Sequence, residues 1–169
     1  QVRQRPGVAL VFQELKRPSE NASAVGYGNN ANALAASAVG YNNTAGGVGS
    51  STIGYNNTAT NENASAFGYG NTAGGLASSA FGFSNTASGD NANAFGYNNI
   101  ASGSKSNVFG TGNTVSGSSS TAVGTANEVA AENSTAIGNN NTISSSAENS
   151  AALGNNISIQ LKRQCSFGK

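Results

Sequence analysis

Residues 63–75 read Asn-Ala-Ser-Ala-Phe-Gly-Tyr-Gly-Asn-Thr-Ala-Gly-Gly, and variants of this stretch recur along most of the 169-residue chain. Its central pair, a large apolar residue followed by glycine, returns every 14 residues from Gly26 to Gly138. The next glycine of the series, Gly154, follows after 16 residues, and Gly168 follows after a further 14. Eleven copies with a single two-residue slip establish an internal repeat, and this repeat limits which folds are possible.

The composition narrows the function classes before any motif is considered. The chain has 27 Ala, 26 Asn and 23 Gly but no His, Met or Trp, and its formal net charge is +1. Without histidine, and with Cys165 as the single cysteine, it lacks a Ser–His or Cys–His pair and a zinc ligand set. We therefore expect a non-enzymatic protein without metal or cofactor. The low charge argues against nucleic-acid binding, and no apolar run is long enough for this segment to insert into a membrane.

Each repeat is predicted to form two short strands separated by tight turns. Fourteen residues are too few for a helical hairpin but can hold two strands of about five residues, with glycine and small polar residues at the turns. Successive repeats then stack in register as parallel coils, each adding about 4.8 Å. The sequence thus predicts an all-β parallel roll, or solenoid, of about eleven 14-residue coils over residues 21–169. Residues 1–20 are expected to be an N-terminal flank or cap.

The bulky residue before each repeat glycine is predicted to fill the interior of the coil. It would face the Ala or Val that stands five residues after the glycine, on the opposite strand. The predicted coil core comprises Val25, Val39, Ile53, Phe67, Phe81, Phe95, Phe109, Val123, Ile137, Leu153 and Phe167.

The residue two before the glycine is predicted to lie on the outer face of the same strand. It is Ala in eight of the eleven repeats and is never charged. A flat, small and uncharged face along a whole rod suits an oligomer axis, and a roll with a thin core needs partners to bury enough surface. The candidate axis residues are Ala24, Ala38, Ala66, Ala80, Ala94, Ala122, Ala136 and Ala152.

Two further columns of the repeat are candidates for binding. The residue after the glycine is aromatic in the first six repeats and Thr or Asn in the next four. Tyrosine gives broad contact at low entropy cost, so this column is a candidate adhesive stripe, with stacked rings that stiffen the turn as the alternative. Thr recurs four residues after the glycine, as a β-propensity ladder or an ice-matching row, and Ile100 and Glu128 interrupt it. The candidate adhesive residues are Tyr27, Tyr41, Tyr55, Tyr69 and Tyr97.

The repeat unit resembles the head repeat of trimeric autotransporter adhesins, the YadA-like family. Residues 63–75 and the segment Asn-Ser-Thr-Ala-Ile-Gly at 133–138 are similar to that family's repeat, and the likeness spans residues 21–168. The family often has Val three residues before the glycine. This chain departs from that pattern with Ser23, Ser37, Ser51, Ser65, Ser79, Asn93 and Asn107.

The resemblance implies a left-handed parallel β-roll whose three identical chains form a head, with the alanine column along the three-fold axis. The implied partners are further copies of the chain, as a homotrimer, and a host extracellular-matrix protein or an abiotic surface. The implied function is multivalent attachment, and the implied location is the bacterial cell surface, as part of a virulence-associated protein anchored in the outer membrane. The N-terminal end of such a head is distal to the anchor. An ice-binding or structural scaffold solenoid of the same fold is the alternative.

Overall fold

The computed structural model describes residues 20–160, and there the regular secondary structure is entirely β. Within that range there is accordingly no helix of the length and apolarity needed to cross a membrane. Ten coils are described, each with one strand of five residues and one of two. The eleventh repeat with Phe167, and residues 1–19 of the N-terminal flank, lie outside the described residues.

The long strands carry the residues on both sides of each repeat glycine. They are β1 (Ser23–Tyr27), β3 (Ser37–Tyr41), β5 (Ser51–Tyr55), β7 (Ser65–Tyr69), β9 (Ser79–Phe83), β11 (Asn93–Tyr97), β13 (Asn107–Thr111), β15 (Thr121–Thr125), β17 (Thr135–Asn139) and β19 (Ala151–Asn155). The short strands are β2 (Asn30–Ala31), β4 (Thr44–Ala45), β6 (Thr58–Ala59), β8 (Thr72–Ala73), β10 (Thr86–Ala87), β12 (Ile100–Ala101), β14 (Thr114–Val115), β16 (Glu128–Val129), β18 (Thr142–Ile143) and β20 (Ser158–Ile159).

Equivalent strands of successive coils pair in parallel and form two ten-stranded sheets. Partners stand one repeat apart, so Phe81 pairs with Phe67 on one side and Phe95 on the other. The register also survives the 16-residue step, where Thr135 pairs with Ala151. The predicted parallel, in-register solenoid is confirmed. Its second strand is shorter than predicted, with two residues instead of about five.

The interior of the roll is filled by small side chains, which reverses the predicted orientation of the long strands. The alanine two before the glycine is buried from Ala38 to Ala152, and only Ala24 in the first coil is half-buried. These alanines pack with the buried alanines of the short strands in two clusters, a small one around Ala38 and Ala45 and a long one that includes Ala73 and Ala87. The bulky residue before the glycine stands on the outer face instead, half-buried or as much as 66% exposed at Leu153.

Two predictions are therefore wrong. The bulky column is not the coil core at Val25, Val39, Ile53, Phe67, Phe81, Phe95, Phe109, Val123, Ile137 and Leu153. An alanine column enclosed within one chain also cannot line an axis between chains, which excludes Ala24, Ala38, Ala66, Ala80, Ala94, Ala122, Ala136 and Ala152 as axis residues.

The physical reason for the reversal is the narrowness of the coil. One circuit of 14 residues brings the two sheets so close that alanine packs against alanine across the interior. The largest side chains that are fully buried are one Ile, three Val and eight Asn: Ile143, Val108, Val115, Val129, Asn43, Asn57, Asn71, Asn85, Asn99, Asn113, Asn127 and Asn141. Four successive phenylalanines would overpack such a space, so they take the outer face.

Candidate adhesive surface

The outer face of the long-strand sheet carries two parallel columns of large side chains. Residues on either side of the glycine share this face because they are two apart on one strand. We call the column before the glycine, from Val25 to Leu153, the apolar column. In its middle four phenylalanines lie one above the other, with ring centroids 4.7 to 5.3 Å apart. They are Phe67, Phe81, Phe95 and Phe109.

The column after the glycine forms a continuous stack of rings, which we call the aromatic ladder. Neighbouring ring centroids are 4.8 to 5.3 Å apart and the ring planes differ by 3° to 16°. Each ring covers the faces of its neighbours, so the ladder offers mainly ring edges and hydroxyls to solvent and is 40% to 53% exposed. Its members are Tyr27, Tyr41, Tyr55, Tyr69, Phe83 and Tyr97. The ladder thus contains all five tyrosines predicted to be adhesive, and their adhesive role remains a prediction.

The aromatic ladder occupies only the N-terminal part of the rod. Beyond Tyr97 the same column holds Thr111 and Thr125, followed by Asn139 and Asn155. The last two are linked by a side-chain hydrogen bond, in which the Asn139 amide donates to Asn155 Oδ1 at 2.8 Å. The two ends of this face therefore differ in chemistry although the backbone repeats without change.

A column of asparagines, buried in every coil but the first, holds successive coils in place beneath these surface columns. It stands three residues after the glycine, and we call it the asparagine ladder: Asn29, Asn43, Asn57, Asn71, Asn85, Asn99, Asn113, Asn127 and Asn141. In a typical member, the Asn85 amide donates to Asn71 Oδ1 at 3.0 Å, to the Phe81 carbonyl at 2.8 Å and to the Gly96 carbonyl at 2.7 Å. The Asn85 Oδ1 in turn accepts the backbone N–H of Asn99 at 3.1 Å.

The asparagine ladder was not recognised as a site from the sequence, although a signal was present. The same amide recurs at one position in nine consecutive repeats, while the residues before and after it vary among Asn, Gly, Ser, Ala, Thr, Ile and Glu. A polar residue that stays constant in a repeat while its neighbours vary indicates a side chain that makes buried hydrogen bonds. The ladder ends at Ile157, whose backbone N–H donates to the last carbonyl oxygen, Asn141 Oδ1, at 2.9 Å.

The repeat glycine makes room for these asparagine amides. It stands between the two outward columns, and its φ lies between +112° and +138°. A Cβ at Gly96 would lie 2.0 Å from the carbonyl oxygen of Gly110 and 3.1 Å from Asn99 Nδ2. The glycine therefore lets the asparagine reach the backbone while the residues on both sides of it stay outside.

The threonine column lies on the outer face of the short-strand sheet. Thr44, Thr58, Thr72 and Thr86 pair in register and are half-buried. The exposed Ile100 and Glu128 occupy the same column and interrupt it. Across residues 20–160, no three His, Cys, Asp or Glu side chains come together in a group that could hold a metal.

These features define a class: a parallel β-solenoid with an interior of small residues and buried asparagines, and an outer face with an apolar column along its length and an aromatic ladder in its N-terminal part. The family model of the YadA head domain repeat matches residues 19–43, 45–71, 73–99 and 116–141, which is more than half of the chain. The chain belongs to this family of YadA head domains. The family is one of adhesins and not of enzymes. A comparison with curated protein sequences finds no match.

Proposed function

We propose that the chain is the head of a homotrimeric adhesin on a bacterial surface, which attaches by multivalent contact through its aromatic ladder. The observation that carries the proposal is the exposed apolar and aromatic face of the long-strand sheet in a member of the YadA head family. The target we favour is a host extracellular-matrix protein, and we propose that the roll is left-handed, as the family resemblance implies.

The apolar column supports self-association of the chain. Ten bulky residues spaced by about 4.8 Å form a stripe about 45 Å long on one side of a thin rod. Val25, Ile53 and Leu153 are 46%, 50% and 66% exposed, and such contiguous apolar surface is unusual on a monomer. Three copies facing one axis through this column would bury it and would supply the larger core that each coil lacks.

The proposed trimer predicts that paired charges in the apolar column will dissociate it. Changing Phe81 and Phe95 to Glu should convert a trimer to a monomer in light scattering, because each carboxylate buried at the axis costs several kcal/mol. Circular dichroism should still report β structure, since both residues lie outside the coil.

The matched control places the same charges on the opposite sheet. Changing Thr72 and Thr86 to Glu should leave the trimer intact, since Glu128 already occupies that column. A trimer mass that survives the Phe81 and Phe95 changes would place the axis on another face.

The gradient along the aromatic ladder supports its assignment as the contact surface. If the rings served only to stiffen the turn, all ten coils would need them equally. They are confined to the first six coils, and in the family the N-terminal end of the head is distal to the anchor. Three chains would present this ladder three times at the far end of the rod, so three weak contacts would together give a higher avidity.

We therefore predict that changing Tyr41, Tyr55 and Tyr69 to Ser weakens attachment about tenfold or more, since aromatic residues dominate interface energetics. Binding to immobilised collagen, fibronectin and laminin would be measured side by side. The trimer mass and the thermal melt of the variant should show that the head is still assembled.

The control for this experiment is the threonine column in the same coils. Changing Thr44, Thr58 and Thr72 to Ser removes three methyl groups from the opposite sheet and should leave attachment unchanged. If attachment survives the tyrosine changes but falls with the threonine changes, the contact surface lies on the short-strand sheet instead.

A further inference from the structure

Four of the aromatic-ladder residues are adjacent phenols. The centroids of Tyr27 and Tyr41 are 5.2 Å apart, those of Tyr41 and Tyr55 5.0 Å, and those of Tyr55 and Tyr69 4.9 Å. The interplanar angles are 16°, 4° and 6°, so successive rings are stacked and nearly parallel. All four rings are between 40% and 49% exposed, so a reagent in solution can reach them.

We propose that these tyrosines are a site of oxidative cross-linking, at which neighbouring rings couple to dityrosine and join successive coils covalently. The co-reactant is a one-electron oxidant such as hydrogen peroxide activated by a haem peroxidase. The inference does not depend on the chain being an adhesin. It rests on the spacing, alignment and exposure of the four phenols.

The coupling step balances with that oxidant alone. Each phenol gives up one electron and its hydroxyl proton and becomes a tyrosyl radical. Two such radicals form one carbon–carbon bond between the ring carbons next to the hydroxyls. The hydrogen on each joined carbon then moves to the neighbouring oxygen, which restores both phenols. One hydrogen peroxide takes up the two electrons and two protons and yields two waters.

The in-register sheet supplies the proximity that radical coupling needs. Tyr41 is held opposite Tyr27 and Tyr55 by strand pairing. Coupling within the chain is therefore intramolecular and does not depend on the collision of two molecules. The torsion that turns a tyrosine ring about its Cβ–Cγ bond is soft, so neighbouring rings can tilt until the ring carbons touch.

Phe83 interrupts the row of phenols in the aromatic ladder and so provides an internal negative control. Phe83 stacks on Tyr69 at 4.8 Å and on Tyr97 at 5.3 Å but carries no hydroxyl. The stack of rings is therefore continuous while the row of phenols is broken. Coupling should join Tyr27 to Tyr41, Tyr41 to Tyr55 and Tyr55 to Tyr69, and should leave Tyr97 unmodified.

The experiment treats the full chain with a haem peroxidase and hydrogen peroxide. Dityrosine fluorescence should rise, and the denatured single chain should lose the mass of two hydrogens for each link. Cleavage after Glu62 separates Tyr55 from Tyr69. A Tyr55–Tyr69 link would therefore appear as two peptides joined, and tandem mass spectrometry would locate the others.

Two variants make the proposal falsifiable without disturbing the stack. Changing both Tyr41 and Tyr69 to Phe leaves only phenols that are separated by one or two phenylalanines, and should remove at least nine-tenths of the intrachain dityrosine. Changing Phe83 to Tyr should bring Tyr97 into the linked set. Equal yield in the double variant, links at Tyr97 in the unchanged chain, or links exclusively between chains would each overturn the proposal.

Discussion

Replacing Gly96 by Ala is expected to destabilise the roll by about 4 kcal/mol or more, enough to disrupt its middle coils. A methyl group there would lie 2.0 Å from the Gly110 carbonyl oxygen, and φ at this residue is +122°. The steric contact cannot be relieved locally, because the obstructing oxygen belongs to the backbone of the next coil. The positive φ adds a second penalty, since an alanine rarely adopts it. The measurement is the shift of the thermal or denaturant midpoint by circular dichroism.

The same substitution at Gly112 provides the comparison. Its φ is +63°, and an added Cβ would meet nothing within 4 Å. Ala126 occupies the equivalent turn position one coil later with φ 54°. Gly112→Ala should therefore cost about 1–2 kcal/mol, the usual penalty of a left-handed alanine. If the Gly96 variant were as stable as the Gly112 variant, the close approach of successive coils at the repeat glycine would be contradicted.

Replacing Asn85 by Asp is expected to have a comparably large effect. The change keeps the shape of the side chain but turns its amide into a carboxylate that faces Asn71 Oδ1, the Phe81 carbonyl and the Gly96 carbonyl. Two buried N–H donors that serve three carbonyl oxygens are lost and oxygen meets oxygen, so the free energy of unfolding should fall by about 4 kcal/mol or more.

Asn98→Asp is the matched control for Asn85→Asp, since it makes the same chemical change one coil later, next to Asn99 of the asparagine ladder. Asn98 is exposed, and its φ of 53° is one that Asp also tolerates. Its stability should stay within about 0.5 kcal/mol of the parent. Similar losses in both variants would show that the added charge matters and the asparagine ladder does not.

Coil length, parallel pairing and register could be predicted from the sequence because they follow from the phase of the repeat alone. A bulky residue before every glycine at a 14-residue step allows only one alignment of successive coils. The position of the 16-residue step could also be predicted from the sequence, because the glycine series continues at Gly154 after Gly138.

The direction in which each column points could not be read from the same pattern. Alternation assigns the residues before the glycine to two faces but does not say which face is inside. Hydrophobicity favoured Phe81 inside and Ala80 outside, whereas the space between the two sheets accepts Ala80 alone. Steric fit in a narrow coil decided the orientation, and the bulky side chains stand on the outer face.

The turn between β18 and β19 shows that corner length and sheet register are independent in this fold. Two extra residues enter there, and both sheets continue without a change of pairing, because the hydrogen bonds between coils are made by the strands. Ser145, Ser146 and Glu148 at this corner are exposed. The corner is thus a suitable insertion point for a foreign peptide loop. The loop would stand at a defined position along the rod, and the strand pairing of the coils on both sides would be unchanged.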